Sequence, residues 1–293
     1  MAAGAQQYPA ATLYVVATPI GNLADLSLRA LHVLAIADAV ACEDTRHSAA
    51  LLRHFGLDKP LLAVHAHNER AGSDAVLARL ARGERIAYVS DAGTPAVSDP
   101  GAGLVAAVTA AGHRVVPVPG PSSALAALAA AGDRHADSFV FVGFLPAKGA
   151  ERARGLDAAA RNPSTQILFE APHRIEALAT ALGEACAGRT ATICRELTKQ
   201  FETIATLACR DLRAWLAADP NRVRGEFVVV LHALPPTIVP TAGDAHDAIL
   251  APLLAALPLK QAVALAAEIG GAPKNALYAR ALELKGRGEE TDG

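Results

Sequence analysis

The chain has 293 residues, 52% of them hydrophobic, and carries 27 Lys and Arg against 29 Asp and Glu for a net charge of −2. That length predicts two domains and a smaller third. The near-neutral balance excludes a protein that works through a global polybasic surface, so any contact with RNA has to be local and shaped.

No apolar run approaches the roughly 20 residues of a membrane span, so no membrane contact is expected. Met1 to Thr12 lack the basic start of a secretion signal. Cys42, Cys186, Cys194 and Cys209 are scattered without a C-x-x-C pair, which predicts reduced, buried thiols of a cytoplasmic protein and no metal site.

In chain order, apolar runs at Leu13–Ala17, Ala39–Glu43, Leu61–His65, Ile86–Ser90 and Arg114–Val118 predict strands. Between them Ser27–Ile36, His47–Phe55, Asn68–Arg82 and Gly101–Ala111 have helical patterns, and a small-residue helix follows over Ser122–Ala131. Continuous apolar strands with little alternation favour a parallel sheet covered on both faces. Gly132 to His135 read as a linker. A second block follows, with strands at Phe139–Gly143, Gln166–Glu170, Ala191–Arg195, Phe201–Leu207 and Glu226–Leu231. The strands near 195 and 201 are too close for a helical crossover, so they pair antiparallel and the second sheet is mixed. Pro235, Pro236 and Pro240 mark a boundary. Beyond it, Ala248–Ala256, Leu259–Ile269 and Pro273–Leu284 are helical, with a helix–turn–helix shape possible around Gly270 to Pro273. This tail has more acidic than basic residues, which speaks against a nucleic-acid role for it. Gly286 to Gly293 are expected to be disordered. The fold class is therefore α/β: two tandem α/β domains, residues 12–132 with a mainly parallel sheet and 136–233 with a mixed one, plus a small helical domain over 243–286.

Polar, turn-rich segments fall at the strand ends. Ala17 to Leu23 follow the first strand without the G-x-G-x-x-G or the P-loop lysine of common nucleotide sites. Cys42 to Arg46 put two carboxylates beside a hydroxyl and a guanidinium, one of them suited to cap a helix. The stretch Tyr88 to Gly101 is the most informative: a buried strand stops at Ser90 and Asp91, and Gly93, Thr94, Pro95, Pro100 and Gly101 force a rigid loop. Ligands of open α/β sheets bind at that edge. Pro117 to Ser123 form a stiff loop that leads into a helix N-terminus, where backbone N–H groups suit an anion. Phe169 to Arg174, Arg195 to Lys199 and Gly225-Glu226 add polar groups in the second block. Several such loops in successive α/β blocks predict a cleft between them. His65 and His67 have no third ligand nearby, and Asn68 reads as a helix cap.

Taken together these residues resemble the tetrapyrrole methylase superfamily of S-adenosylmethionine-dependent methyltransferases, and within it the branch that methylates a ribose 2′-hydroxyl of small-subunit ribosomal RNA. The resemblance is carried by Tyr14-Val-Val-Ala-Thr-Pro-Ile-Gly-Asn22, Glu43-Asp-Thr-Arg46, His67-Asn-Glu-Arg70, Ser90 to Gly101, Pro119-Gly-Pro-Ser122, Phe144-Leu-Pro146, Phe169 to Arg174, Arg195 to Lys199 and Gly225-Glu-Phe227. It implies methylation of a cytidine in the decoding region, S-adenosylmethionine as donor without a metal, ribosomal RNA or the assembled 30S subunit as partner, and a homodimer. It places donor binding at Ile20, Asp91, Thr94, Ser122, Ser123, Ala171, Leu197 and Gly225.

A ribose hydroxyl needs a proton acceptor. The candidates are Glu43, Asp44, Glu170 and Lys199, the lysine on condition that burial lowers its pKa. Arg46, Arg70, Arg174 and Lys199 are candidates for gripping RNA phosphates. The alternatives are a methyltransferase of the same superfamily acting on a tetrapyrrole or a protein side chain, and a non-enzymatic ribosome-binding factor. A nicotinamide enzyme would need the missing glycine fingerprint.

Overall fold

The run Thr-Leu-Tyr-Val-Val can be buried throughout only if both faces of its sheet are covered. In the computed structural model, which describes residues 5–65, 67–235 and 242–289, it is strand β1 (Thr12–Val16), with Leu13, Tyr14 and Val16 at most 1% exposed. It joins β2 (Ala39–Cys42), β3 (Leu61–Ala63), β4 (Arg85–Val89) and β5 (Arg114–Val118) in the order β3-β2-β4-β1-β5, with every pairing parallel. The intervening helices are α1 (Leu28–Ile36), α2 (Thr45–His54), α3 (Glu69–Ala81) and α4 (Ala102–Ala110). Ala30, Val33, Leu34 and Leu52 of α1 and α2 pack on Val40, Cys42, Ala87 and Val89. Val76, Leu80, Leu104 and Val108 of α3 and α4 pack on Ala39, Ala41, Ile86 and Tyr88. Alternate residues of one strand thus enter opposite cores, and each fully buried Val or Leu contributes roughly 1.5–3 kcal/mol. The connection from β1 passes β4 to reach β2, whereas that from β4 passes β1 to reach β5. The loops after these two neighbours therefore emerge side by side where the crossovers diverge.

The second sheet has the order β6-β7-β10-β8-β9, from β6 (Phe139–Phe144), β7 (Thr165–Glu170), β8 (Thr190–Arg195), β9 (Thr203–Ala208) and β10 (Phe227–Leu231). Only β6–β7 is parallel, so the sheet is mixed as expected, with β8 and β9 antiparallel. Helices α6 (Gly149–Arg161), α7 (Ile175–Ala185) and α8 (Leu212–Ala217) accompany it. One face of the sheet packs on Leu178 and Leu182 of α7 and Leu212 and Leu216 of α8. The other is covered by α5 (Ser123–Ala131), whose Ala124, Ala127 and Ala131 lie on Ile167, Cys194, Val228 and Val230. Alanines on that helix face let it approach the sheet closely, and this brings the polar edges of the two sheets together.

The chain divides into compact units after Leu234. In the second unit, α9 (Ala242–Ala256), α10 (Leu259–Gly270) and α11 (Lys274–Glu289) enclose Leu250, Val263, Ala266, Leu277 and Ala281. Gly271, at φ 66°, ends α10.

Four expectations are corrected. The third strand ends at Ala63 rather than His65, because Asn68 donates to the Ala63 carbonyl at 3.0 Å and accepts from the His65 N–H at 2.8 Å. Asn68 stands at the N-cap position of α3, but this turn occupies its side chain and it makes no capping bond. The ninth strand starts at Thr203 rather than Phe201, whose carbonyl accepts from Arg195 at 2.9 Å. Order does not end at Gly286: α11 runs to Glu289, since glycine weakens a helix without barring its dihedrals. Pro236, Pro240 and residues 290–293 lie outside the described residues.

Candidate active site

The loop after β1 is sewn to the loop after β4 at Thr18 and Gly93, whose N–H and C=O groups exchange bonds of 2.9 and 3.1 Å. The Thr18 hydroxyl adds a bond to the Ser90 carbonyl at 3.1 Å. Thr94 donates to the Pro121 carbonyl at 3.1 Å, tying in the loop after β5. The Asp44 N–H donates to Asp91 Oδ1 at 3.2 Å, tying in the loop after β2. Within the β4–α4 loop, Gly93 and Gly101 have φ of 84° and 121°, and two non-glycines, Ala96 and Ser98, are held at 65° and 63°. Left-handed backbone at side-chain-bearing residues costs of order 1–3 kcal/mol each and persists only where the surroundings impose it. Here the Tyr88 hydroxyl, donating to the Pro100 carbonyl at 2.7 Å, pins the far end of the loop.

A cleft of about 360 Å³ opens between these loops and the edge of the second sheet. Ile20, Thr94, Asp99, Ser122 and Ser123 line it from the first half, and Phe144, Phe169, Glu170, Ala171, Leu197 and Glu226 from the second. Six of the eight residues expected to hold a donor are thus brought together: Ile20, Thr94, Ser122, Ser123, Ala171 and Leu197. Asp91 and Gly225 are not on the wall, although their neighbours Ala92 and Glu226 are. Asp91 braces the Asp44 backbone instead. Gly225 has a φ of 91°, and a Cβ there would come within 2.5 Å of the Glu196 side chain. That space admits the Glu196 carboxylate, which accepts from the Glu226 N–H at 2.9 Å.

The four proton-acceptor candidates separate. Glu170 is 2% exposed and paired at 2.9 Å with both Arg152 and Arg174, so its charge holds two guanidinium groups in place. Lys199 bonds to Glu196 and Glu226, each at 2.9 Å. Burial acts to lower its pKa, yet the bonds to Glu226 and Glu196 carry it above the ordinary lysine value, so the condition for a neutral lysine base is not met. Asp44 caps α2 and accepts from the Arg46 N–H at 2.8 Å. Its bonds with Arg46 hold its pKa at about 2, too low for a useful base. Glu43 is off the cleft wall, and burial, followed by the nearby Asp91 charge, pushes its pKa up.

The cation candidates separate as well. Arg174 donates to the Leu145 carbonyl at 2.7 Å besides pairing with Glu170, and Lys199 is engaged as described. Arg46, with its side chain 90% exposed, and Arg70, also exposed, remain on the surface. Among the described residues no group of three or more His, Cys, Asp or Glu side chains is assembled as a metal site.

Four participants escaped the residue-by-residue reading of the sequence: Asp99, Phe144, Phe169 and Arg152. Asp99 sits in a Ser-Asp-Pro-Gly turn, which was a signal, but Asp91 at the strand end drew the assignment. Burial pushes the Asp99 pKa up to about 6 against the opposing Ser90 hydrogen bond, with Glu43 and Asp91 adding to the rise. Arg152 lies in α6 with no motif around it.

Two tandem sheets with a cleft at their joined polar edges define a class. The family Tetrapyrrole (Corrin/Porphyrin) Methylases matches residues 12–212, and the chain belongs to it. Residues 240–285 match the RsmI C-terminal HTH domain. Along nearly its whole length the chain is similar to ribosomal RNA small subunit methyltransferase I of Pseudomonas aeruginosa, at 50% identity over 95% of this chain and 99% of that one. The protein of the same name from Escherichia coli O157:H7 is 48% identical over 94% and 96%. Among solved structures, cobalt precorrin-4 methyltransferase shares the fold with a TM-score of 0.58 and 19% identity, over 76% of this chain and 95% of that one. Uroporphyrin-III C-methyltransferase of Thermus thermophilus, complexed with S-adenosylhomocysteine, aligns with a TM-score of 0.53 and 20% identity over 75% and 97%.

Proposed function

We propose that this chain transfers a methyl group from S-adenosylmethionine to small-subunit ribosomal RNA, at the ribose 2′-hydroxyl of a cytidine in the decoding region. The observation that carries the reading is the match, over nearly the full chain, to relatives named for that substrate class. The cleft supports it. Ile20, Leu197 and Phe169 supply apolar wall for an adenine ring, and Ser122 and Ser123 at the N-terminus of α5 offer N–H groups that suit a carboxylate. The bound donor would supply a methyl group already activated by its sulfonium charge. The residues of this chain then have to align, desolvate and accept a proton.

Incubating the protein with methyl-labelled donor and unmethylated small subunits should yield 2′-O-methylcytidine after digestion to nucleosides. Label on a base, on a porphyrinoid offered in parallel, or nowhere rejects the reading. The same reading includes a homodimer in the cytoplasm, and light scattering should give twice the 30.1 kDa chain mass.

Arg46 and Arg70 are the exposed cations best suited to phosphates. Arg46→Ala should weaken binding to the subunit and lessen its salt dependence while calorimetric donor affinity is retained. A variant that loses donor affinity instead refutes this assignment.

A further inference from the structure

Three acidic side chains line the cleft: Asp99, Glu170 and Glu226. Two are committed to cations. Glu170 lies between Arg152 and Arg174, and Glu226 accepts from Lys199 at 2.9 Å. Asp99 is the lining carboxylate with no cation in ion-pair range among the described residues. The groups facing it are the Ser90 hydroxyl, Tyr88, and the like-charged Glu43 and Asp91 from the ends of β2 and β4. The loop that carries it is held rigidly. Ala96 and Ser98 are in left-handed backbone, and Gly143 of β6 comes so close that a Cβ there would stand 3.0 Å from Ser98 Oγ. A carboxylate on a cleft wall, fixed by its backbone and left without a counter-ion, is suited to accept a proton rather than to bind a neighbouring side chain.

We propose that Asp99 takes the proton from the hydroxyl that accepts the methyl group. The inference rests on the methyltransferase reading above. As the hydroxyl oxygen bonds to the methyl carbon, the carbon–sulfur bond breaks and its electron pair stays on sulfur. The hydroxyl proton passes to an Asp99 carboxylate oxygen and is released to water when the products leave. With its pKa raised to about 6, this carboxylate is ionised at neutral pH and more basic than Asp44, whose pKa is about 2. Matching of the acceptor to working pH favours general-base catalysis.

The test is Asp99→Asn, which keeps the shape and removes the basic oxygen. The single-turnover rate on small subunits should fall about 10²–10⁴-fold, with donor affinity by calorimetry changed less than about threefold. In the wild type, kcat/KM for the donor should fall as pH drops below about 6. The variant should also melt higher than the wild type at pH 7.5. The folded pKa lies above the unfolded value of about 3.9, so ionising Asp99 costs stability that accumulates as pH rises from about 4 through 6, and the advantage of the amide should vanish near pH 4. A variant as active as the wild type, a wild-type kcat/KM flat to pH 5, donor affinity lost in step with rate, or a lower melting temperature at pH 7.5 each overturns the assignment. A wild-type protein that methylates no ribosomal RNA fails the functional reading and takes this inference with it. Active wild type with an unimpaired variant fails this inference alone.

Discussion

Glu170→Ala should destabilise the protein by about 3–5 kcal/mol and abolish methyl transfer, because the substitution strands two charges. The Arg152 and Arg174 side chains are only 12% and 19% exposed, and each stands 2.9 Å from the Glu170 carboxylate. Water cannot fully replace that partner. The same guanidinium groups donate to the Leu145 and Pro146 carbonyls, at 2.7 Å from Arg174 and 3.1 Å from Arg152, so the carboxylate indirectly holds the segment after β6. Ala171, whose N–H donates to Glu170 Oε1 at 3.0 Å, loses its brace on the cleft wall. Urea unfolding measures the first effect and label transfer to small subunits the second. Adding Arg152→Ala should recover part of the stability by removing one stranded charge. A loss below about 1 kcal/mol would show that the triad is solvated and contradict its burial.

Gly101→Ala should be comparably damaging for a different reason. Gly101 has a φ of 121°, and a Cβ there would overlap the Cε1–Cζ edge of the Tyr88 ring, which is completely buried. The backbone alone costs about 1–3 kcal/mol, and displacing a packed aromatic ring about 1–3 kcal/mol more. The ring cannot yield without breaking the bond from its hydroxyl to Pro100, the residue after Asp99. Tyr88→Phe in the same background removes the polar tie but not the clash, so it should restore little stability. A Gly101→Ala protein with unchanged melting temperature and unchanged methyl transfer would contradict the loop geometry.

Much of this architecture was legible before any coordinates. Continuous apolar runs between helical patterns specified five strands in each block, and Arg114–Val118 was bounded correctly. Pro117 is tolerated there because β5 is the edge of its sheet. The close spacing of Arg195 and Phe201 implied an antiparallel pair, because a crossover needs about a dozen residues or more. Turn-rich strand ends recurring in both blocks pointed to the cleft, since ligands of open α/β sheets bind at that edge. Helices α6, α7 and α8 were not delineated, although the strand between the first two was expected at Gln166–Glu170 and runs over Thr165–Glu170.

Assignment of individual roles was decided elsewhere. Sequence placed Asp91 at a strand terminus and Asp99 in a turn eight positions later, and nothing local says which of them reaches the cleft. The fold answers by taking Asp91 into a bond with the Asp44 backbone and leaving Asp99 on the wall. Likewise Glu170, Lys199 and Arg174 have the chemistry of catalysis and phosphate binding, but the charges that meet them come from Arg152, Glu196 and Glu226, and from Glu170 itself. Periodicity and turn chemistry are properties of neighbouring residues, so the sequence by itself determined the order of elements, the two sheets and the edge where the cleft lies. Whether a charged side chain is free or paired depends on groups brought near by packing, here Arg152 of α6 beside β7 and Glu196 and Glu226 at the adjoining ends of β8 and β10, and that only the tertiary structure decided.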